Sequence, residues 1–436
     1  MTEALYSWGH YPDAPQHPTH CHWQAEVPER LQQLVQAHGS TLVFGKGRSY
    51  GDSCLAASGQ VLALQGLDRL IAVDWAQGII RAEAGLTLQA LLAMIIPRGW
   101  FLPVTPGTQF VTLGGAVAND VHGKNHHRRG TFANHVQRFG LWRQGEYLSC
   151  SATEQPELFA ATLGGLGLTG IILWVEIRLL PIQASQIDYK VVRFDRLSEF
   201  FALSAALDHQ HEYSVAWVDC LARGDNIGRG VFMVGDHAPY GSLAREERSK
   251  LAVPCTPPIS LINSLSLKAF NQLYWRIHPA QLTARRGAYE PFFYPLDRLL
   301  AWNRMYGRRG FQQYQCVLPE AQAEAALPEL LKVIAEAGQG SFLAVLKRCG
   351  DLVSPGLLSF PMPGTSLALD FPQRPQLATL FTRLDALVRQ AGGRLYPAKD
   401  AHMSRADFQQ AYPAWQQLEA LRDPALNSRF WKRVTT

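Results

Sequence analysis

The run FGKGRSYGDS, residues 44–53, sets three glycines among Lys46, Arg48, Ser49 and Ser53. Gly45, Gly47 and Gly51 let a backbone turn tightly and approach a ligand with no Cβ in the way. Successive N–H groups in such a loop form a concave anion site, and Arg48 adds positive charge. A diphosphate is the natural guest; a Gly-rich β-turn is the alternative that the loop alone leaves open. A second concentration lies at 103–136. There Gly107, Gly114, Gly115 and Gly123 alternate with Thr105, Thr108, Thr112, Asn119, His122 and Asn125. Small residues permit close approach, and the hydroxyls and amides can bond a polar ring edge. In that setting His122 reads as a cofactor contact, with a satisfied structural histidine as the bland alternative. Gly165, Gly167 and Gly170 match G-x-G-x-x-G, but a helix pattern precedes them and a strand pattern follows, the reverse of a dinucleotide fingerprint. Two histidine clusters, His17/His20/Cys21/His22 and His122/His126/His127, lack zinc spacing and paired carboxylates, so no metal is expected and the first reads as a surface segment.

These residues need elements to hold them. Short β-type runs at 40–44, 61–64, 70–73 and 78–83 surround the first loop. Leu88, Leu91, Leu92 and Ile95 recur at helical spacing after Thr87, a capping residue, and before Pro97 and Gly99. Another helix starts at Pro156 and stops at Gly164–Gly165, followed by a β run at 171–180. Further on, strands are expected at 313–318, 341–347 and 366–370. Helices carry Leu327, Leu330, Leu331 and Ile334, then Leu377, Leu380, Phe381, Leu384 and Val388, each stopped by glycine. That order predicts an α+β domain with helices on one face of a sheet. Residues 235–285 carry few signals and are expected to form long, mobile loops.

The chain has 436 residues, 47% of them hydrophobic. At roughly 150 residues per domain that is two or three domains, enough to bury a large core and to exclude wholesale disorder. The net charge of +5 is short of what a nucleic-acid-binding domain carries. No apolar run reaches the roughly 20 residues of a membrane span, and the N-terminus lacks the pattern of a signal peptide. Seven scattered cysteines fit a reduced, cytoplasmic chain. The positive charge is clustered. Between 121 and 144 lie Lys124, Arg128, Arg129, Arg138 and Arg143 with no acidic residue. The stretch 268–309 interleaves basic residues with aromatics, including Phe270, Tyr274, Trp275 and Trp302. A solvated basic face is one reading; contact with an anionic lipid surface is the other.

Taken together, the motifs TPGT at 105–108, TLGGAVAND at 112–120, HGKNHH at 122–127 and LGGLGLTGI at 163–171 resemble the vanillyl-alcohol-oxidase-type flavoproteins. The resemblance is closest to the branch of FAD-dependent decaprenylphosphoryl-β-D-ribose 2-oxidases. It continues through YSVAWVD at 213–219, residues 295–319 and 358–372, and GGRLYPAKD at 392–400; the first forty residues and 235–285 match poorly. It implies a two-subdomain PCMH-type FAD-binding domain at 1–182. An α+β substrate domain with an antiparallel sheet follows at 183–393, and a segment returning to the FAD domain at 394–436. By the same resemblance Val43, Phe44, Gly45, Lys46, Gly47, Arg48, Ser49, Tyr50, Gly51, Asp52 and Ser53 surround the diphosphate. Gly107, Thr112, Leu113, Gly114, Gly115, His122, Gly123, Lys124, Asn125, Ile172 and Tyr396 line the rest of FAD. No histidine stands in the diphosphate loop, which implies noncovalent FAD.

The implied reaction takes a hydride from C2 of a polyprenylphosphoryl ribofuranose to flavin, giving a 2-keto sugar. An NADH-dependent short-chain reductase is the implied partner for the return step, and quinone or oxygen the acceptor. Lys399 is the first choice for orienting and polarising the hydroxyl, with Gln315, Lys347 and His122 beside it. Trp217, Phe293, Val345, Ser366 and Ala368 complete the substrate wall. Lys347 as a solvated edge-strand charge and Trp217 as plain core are the bland alternatives. The sequence departs from the family at Ala368, where a cysteine is usual, at Thr365 and Ser366, and at Phe293, where a tyrosine is usual. These changes bear on pocket shape rather than on hydride chemistry, and covalent inhibitors that capture the cysteine should fail here. A sugar-lactone or small-alcohol oxidase on the same fold is the competing expectation.

Overall fold

The computed structural model describes residues 4–244 and 250–436. Three main sheets organise the chain. His17–His20, Gln60–Ala63 and Leu42–Phe44 form a parallel sheet with Gln60–Ala63 in the middle. A five-stranded antiparallel sheet runs in the order Leu70–Asp74, Ile79–Glu83, Ile171–Arg178, Val136–Arg143, Glu146–Ser151. The helices Leu88–Ile95 and Leu113–Ala118 pack their apolar residues into its core. Thr87 caps the first of them through its hydroxyl, which accepts from the Ala90 N–H, as its position before the periodic run predicts.

The largest sheet has eight strands and is antiparallel throughout. Its order is Thr283–Ala288, Gln186–Phe194, Gly230–His237, Tyr213–Val218, Ala344–Cys349, Gly364–Pro372, Phe311–Pro319, Arg394–Leu395. The helices Leu197–Leu207, Glu320–Ala337 and Leu377–Gln390 share one core with one face of it. Leu327, Leu330, Leu331 and Ile334 are all essentially inaccessible; each such side chain contributes roughly 1.5–3 kcal/mol on burial. The period of two divides the strands cleanly. Tyr314, Cys316, Leu346, Leu367 and Leu369 point into that core, while Gln313, Gln315, Val345, Lys347 and Ala368 face a cavity on the other side.

Two expectations need correction. The region 235–285 is not an extended loop: it contains the helix Ser264–Ile277, capped by Asn263, and the start of the edge strand Thr283–Ala288. The helix shows Leu265, Leu273 and Ile277 to solvent, more than 60% exposed each, beside exposed Lys268 and Arg276. Its outer face thus mixes apolar with charged residues and lacks the clean polar face by which a surface helix is recognised. Residues 245–249 of that region lie outside the described part. The histidines at 17–20 do lie at the surface, on an edge strand of the parallel sheet with His17 and His20 exposed, while Cys21 just beyond is fully buried. The expected strand at 341–347 begins later and spans Ala344–Cys349.

Candidate active site

One large cavity lies between the cavity face of the eight-stranded sheet and the N-terminal half. The loop after Leu42–Phe44 forms one end. Its glycines have distinct reasons. Gly47 sits at φ +60, and a Cβ there would meet the Tyr6 carbonyl oxygen at 2.7 Å. A Cβ at Gly51 would fall 1.7 Å from the Asp400 carbonyl oxygen. Both glycines therefore serve close chain packing, whereas Gly107, open to the cavity, has nothing within 4 Å of its notional Cβ. The loop is pinned to the C-terminal segment: Tyr50 N–H donates to Ala398 O at 3.1 Å and Asp52 N–H to Asp400 O at 3.3 Å. The Asp52 carboxylate takes a two-pronged bond from Arg433 (3.0 and 2.8 Å), which also reaches Asp400 at 2.8 Å.

Ser53 Oγ and Arg48 Nε are buried, line the cavity end and have no hydrogen-bond partner in the protein. Buried donors of this kind are costly unless a ligand accepts from them. The Arg48 guanidinium is held over the Trp8 ring at 3.9 Å, with Phe110 at 5.2 Å. This end therefore fits a diphosphate.

The other end carries the candidate chemistry. His122 is flanked by the rings of Phe360 and Tyr396 at 5.4 and 5.2 Å. Burial, then Lys347, His126 and Lys399, hold it well below the ordinary imidazole range, so it is neutral. Gln315 Nε2 lies 3.1 Å from His122 Nε2. An amide N–H can only donate, so the ring accepts at Nε2 and carries its proton on Nδ1, a buried atom with no partner in the protein. Lys347 Nζ donates to Gly123 O at 2.7 Å, and burial pulls its pKa down to about 8. Lys124 lies 5.4 Å from the Phe292 ring; burial and then Lys347 bring it to about 7. Lys399 Nζ rests 3.8 Å above the Tyr50 ring; burial lowers its pKa and Asp370 opposes that shift. Among the described residues lining the cavity, Asp297 is the one carboxylate. It accepts from Gln109 N–H at 2.9 Å, and burial raises it to about 6. Three lysines with Lys46 and Arg48 against one carboxylate make this a site for anionic ligands.

Of the residues expected from sequence, the cavity gathers Val43, Gly45, Lys46, Gly47, Arg48, Ser49, Tyr50, Ser53, Gly107, Thr112, Gly114, Gly115, His122, Gly123, Lys124 and Ile172. It also gathers Phe293, Gln315, Val345, Lys347, Ala368, Tyr396 and Lys399. Seven stand outside it. Phe44 and Leu113 are core. Gly51 and Asp52 face the C-terminal segment. Asn125 ties Pro103 O to Glu212 at 2.8 and 2.9 Å. Ser366 backs Gln315 at 3.5 Å. Trp217 is on the correct face of its strand but is covered by the helix Ser264–Ile277; its indole N–H bonds Phe342 O and its ring packs on Tyr274.

Sequence reasoning missed Gln313, although it alternates with Gln315 in a strand already identified. It also missed Leu166, Gly167 and Gly170, which line the cavity from the segment set aside as a false dinucleotide match. Trp8 gave no signal, and the segment 299–302, part of a motif that carries the resemblance, was not named as lining the site. Among the described residues no group of three potential ligands could hold a metal.

The FAD binding domain family matches residues 16–151. The chain is 34% identical over 408 residues to decaprenylphosphoryl-beta-D-ribose oxidase of Mycolicibacterium smegmatis, covering 87% of this chain and 85% of that protein. A Streptomyces coelicolor protein known by its position in the mprA 5' region is 35% identical over 78% of this chain and 96% of its own. A putative D-arabinono-1,4-lactone oxidase of Neurospora crassa is 28% identical over only 36% of this chain.

Proposed function

The chain belongs to the decaprenylphosphoryl-β-D-ribose oxidase family of FAD-dependent oxidoreductases, and we propose that it oxidises the C2 hydroxyl of a polyprenylphosphoryl-β-D-ribofuranose to the 2-keto sugar. The observation that carries this reading is the cavity itself. A diphosphate end with unpartnered donors faces an end where Lys124, Lys347, Lys399, His122 and Gln315 converge. FAD, when bound, supplies the hydride acceptor. Lys399 orients and polarises the hydroxyl, stabilising charge on its oxygen as the hydroxyl proton passes to water and the hydride leaves C2. Gln315 and neutral His122 hold the sugar ring edge, and Lys124 and Lys347 attract the phosphate. No histidine stands in residues 44–53, in keeping with noncovalent FAD.

The division at 1–182, 183–393 and 394–436 belongs to the same reading. It is supported by the sheets, since the eight-stranded one takes all but its last strand from between Gln186 and Pro372. We assign the return reduction to an NADH-dependent short-chain reductase and reoxidation to quinone or oxygen. Among the described residues no helix is long and apolar enough to cross a membrane. Contact with a lipid surface is proposed through Leu265, Leu273 and Ile277, with Leu251 and Leu300 exposed beside the cavity. Anaerobic mixing with prenylphosphoryl-ribose should bleach the flavin, whereas aldonolactones and simple alcohols should not. Bleaching by an aldonolactone alone would replace this reading with the lactone-oxidase one.

A further inference from the structure

Asp370 lies in the middle of the eight-stranded sheet, paired with Gln313, two residues along the strand from cavity-lining Ala368. It is fully buried. Its Oδ1 accepts from Gln313 Nε2 at 2.6 Å, and its backbone N–H donates to Ser341 Oγ at 3.0 Å. Its Oδ2 has no hydrogen-bond partner. A buried carboxylate with half its lone pairs unused is unfavourable unless a positive charge compensates it. The groups facing it from the surrounding elements are the Tyr50 and Tyr306 phenols, Gln313 and the Lys399 ammonium. Lys399 is the cation among them, and its Nζ rests on the same Tyr50 ring.

We propose that Asp370 is a positioning residue for Lys399: its buried carboxylate, steered by Gln313, holds the Lys399 ammonium charged and directed at the substrate hydroxyl. This rests on the role given above to Lys399. The strand pairing makes the arrangement stiff, because Gln313 lines the cavity and grips Asp370 at once. Burial raises the Asp370 carboxyl pKa to about 7, so its charge is in place over the alkaline range. There an opposite charge close by favours the protonated amine by about 1–3 pH units and offsets the desolvation that lowers the Lys399 pKa. Oxidation then fails as pH rises through the Lys399 pKa, and Asp370 sets where that alkaline limb falls.

The test is the pH profile of anaerobic flavin reduction by prenylphosphoryl-ribose in the FAD-loaded protein. Asp370→Asn keeps an acceptor for Gln313 and removes the charge; Asp370→Leu removes both, a change that buried sites often tolerate. Either variant should move the alkaline limb to lower pH by about one unit or more. FAD occupancy should be unchanged, and Asp370→Glu should restore the limb. A folded, FAD-loaded neutral variant with the wild-type limb overturns the proposal. If neither neutral variant folds, the pH dependence of Lys399 acylation in the wild-type protein, read by mass spectrometry, decides. An amine already neutral at pH 7 overturns the proposal, and one that stays protonated there supports it. Unchanged flavin reduction in Lys399→Met instead refutes the role of Lys399, leaving the two failures distinguishable.

Discussion

Gathering three lysines around one cavity is unfavourable until an anion joins them. Lys124 is brought to about 7 and Lys347 to about 8, in each case chiefly by burial. Both therefore sit below the roughly 10.4 of an exposed lysine. At pH 8 the ligand-free protein keeps Lys124 largely neutral and Lys347 about half so. A bound phosphate raises both pKa values, because an opposite charge favours the ammonium form. Binding of a prenylphosphoryl sugar to the FAD-loaded protein at pH 8 should thus take up protons. Calorimetry in two buffers of different ionisation enthalpy measures this directly, and a heat independent of buffer would remove these lysines from phosphate recognition. The same residues show how legible the site was. Lys347 and Lys399 were named from sequence because they sit in motifs. That Lys347 is buried and bonded to Gly123, not a solvated edge charge, required the fold.

The diphosphate loop and the C-terminal segment act as one element. Arg433, on the last helix, Arg429–Thr435, bridges Asp52 and Asp400, both nearly inaccessible. Asp400 follows Lys399 directly, so the clamp also fixes the backbone of the proposed polarising residue. Removing one partner of a buried ion pair costs about 3 kcal/mol, because the carboxylates left behind lose their counter-charge. Arg433→Ala should lower the thermal midpoint by several degrees and weaken FAD retention; an unchanged midpoint would show that the clamp is dispensable. Nothing in the sequence marks Arg433, since its partners lie 381 and 33 positions away. Strands and helices with clean period-two or helical patterns, such as Phe311–Pro319 and Leu377–Gln390, were legible. The helix Ser264–Ile277 was not, because its outward face mixes Leu265, Leu273 and Ile277 with Lys268 and Arg276, and its inward face holds only two buried residues, Leu267 and Asn271.

For the whole molecule the net charge of +5 resolves into two unlike regions. The basic run at 121–144 is tied down by local partners. Arg128 and Arg129 pair with Glu212, Arg138 with Glu176, Arg143 bonds carbonyl oxygens, and Lys124 faces the cavity. The second region stays on the surface. Lys268, Arg276 and Arg285 are exposed around the apolar stripe Leu265, Leu273 and Ile277. The stripe follows i, i+8, i+12, one side of a helix. Leu251 pairs with Leu299, which lines the cavity, and Leu300 both lines it and reaches solvent. An apolar surface continuous with the cavity suits a substrate whose sugar enters while its prenyl chain stays in lipid. Each basic residue near an anionic surface adds about 1 kcal/mol, and salt screens it. The protein should therefore co-sediment with phosphatidylglycerol vesicles at low salt and be released at high salt, binding phosphatidylcholine weakly. Replacing Leu273 and Ile277 by glutamate should abolish sedimentation while leaving FAD bound. Full binding by that double variant would place the lipid contact elsewhere on the molecule.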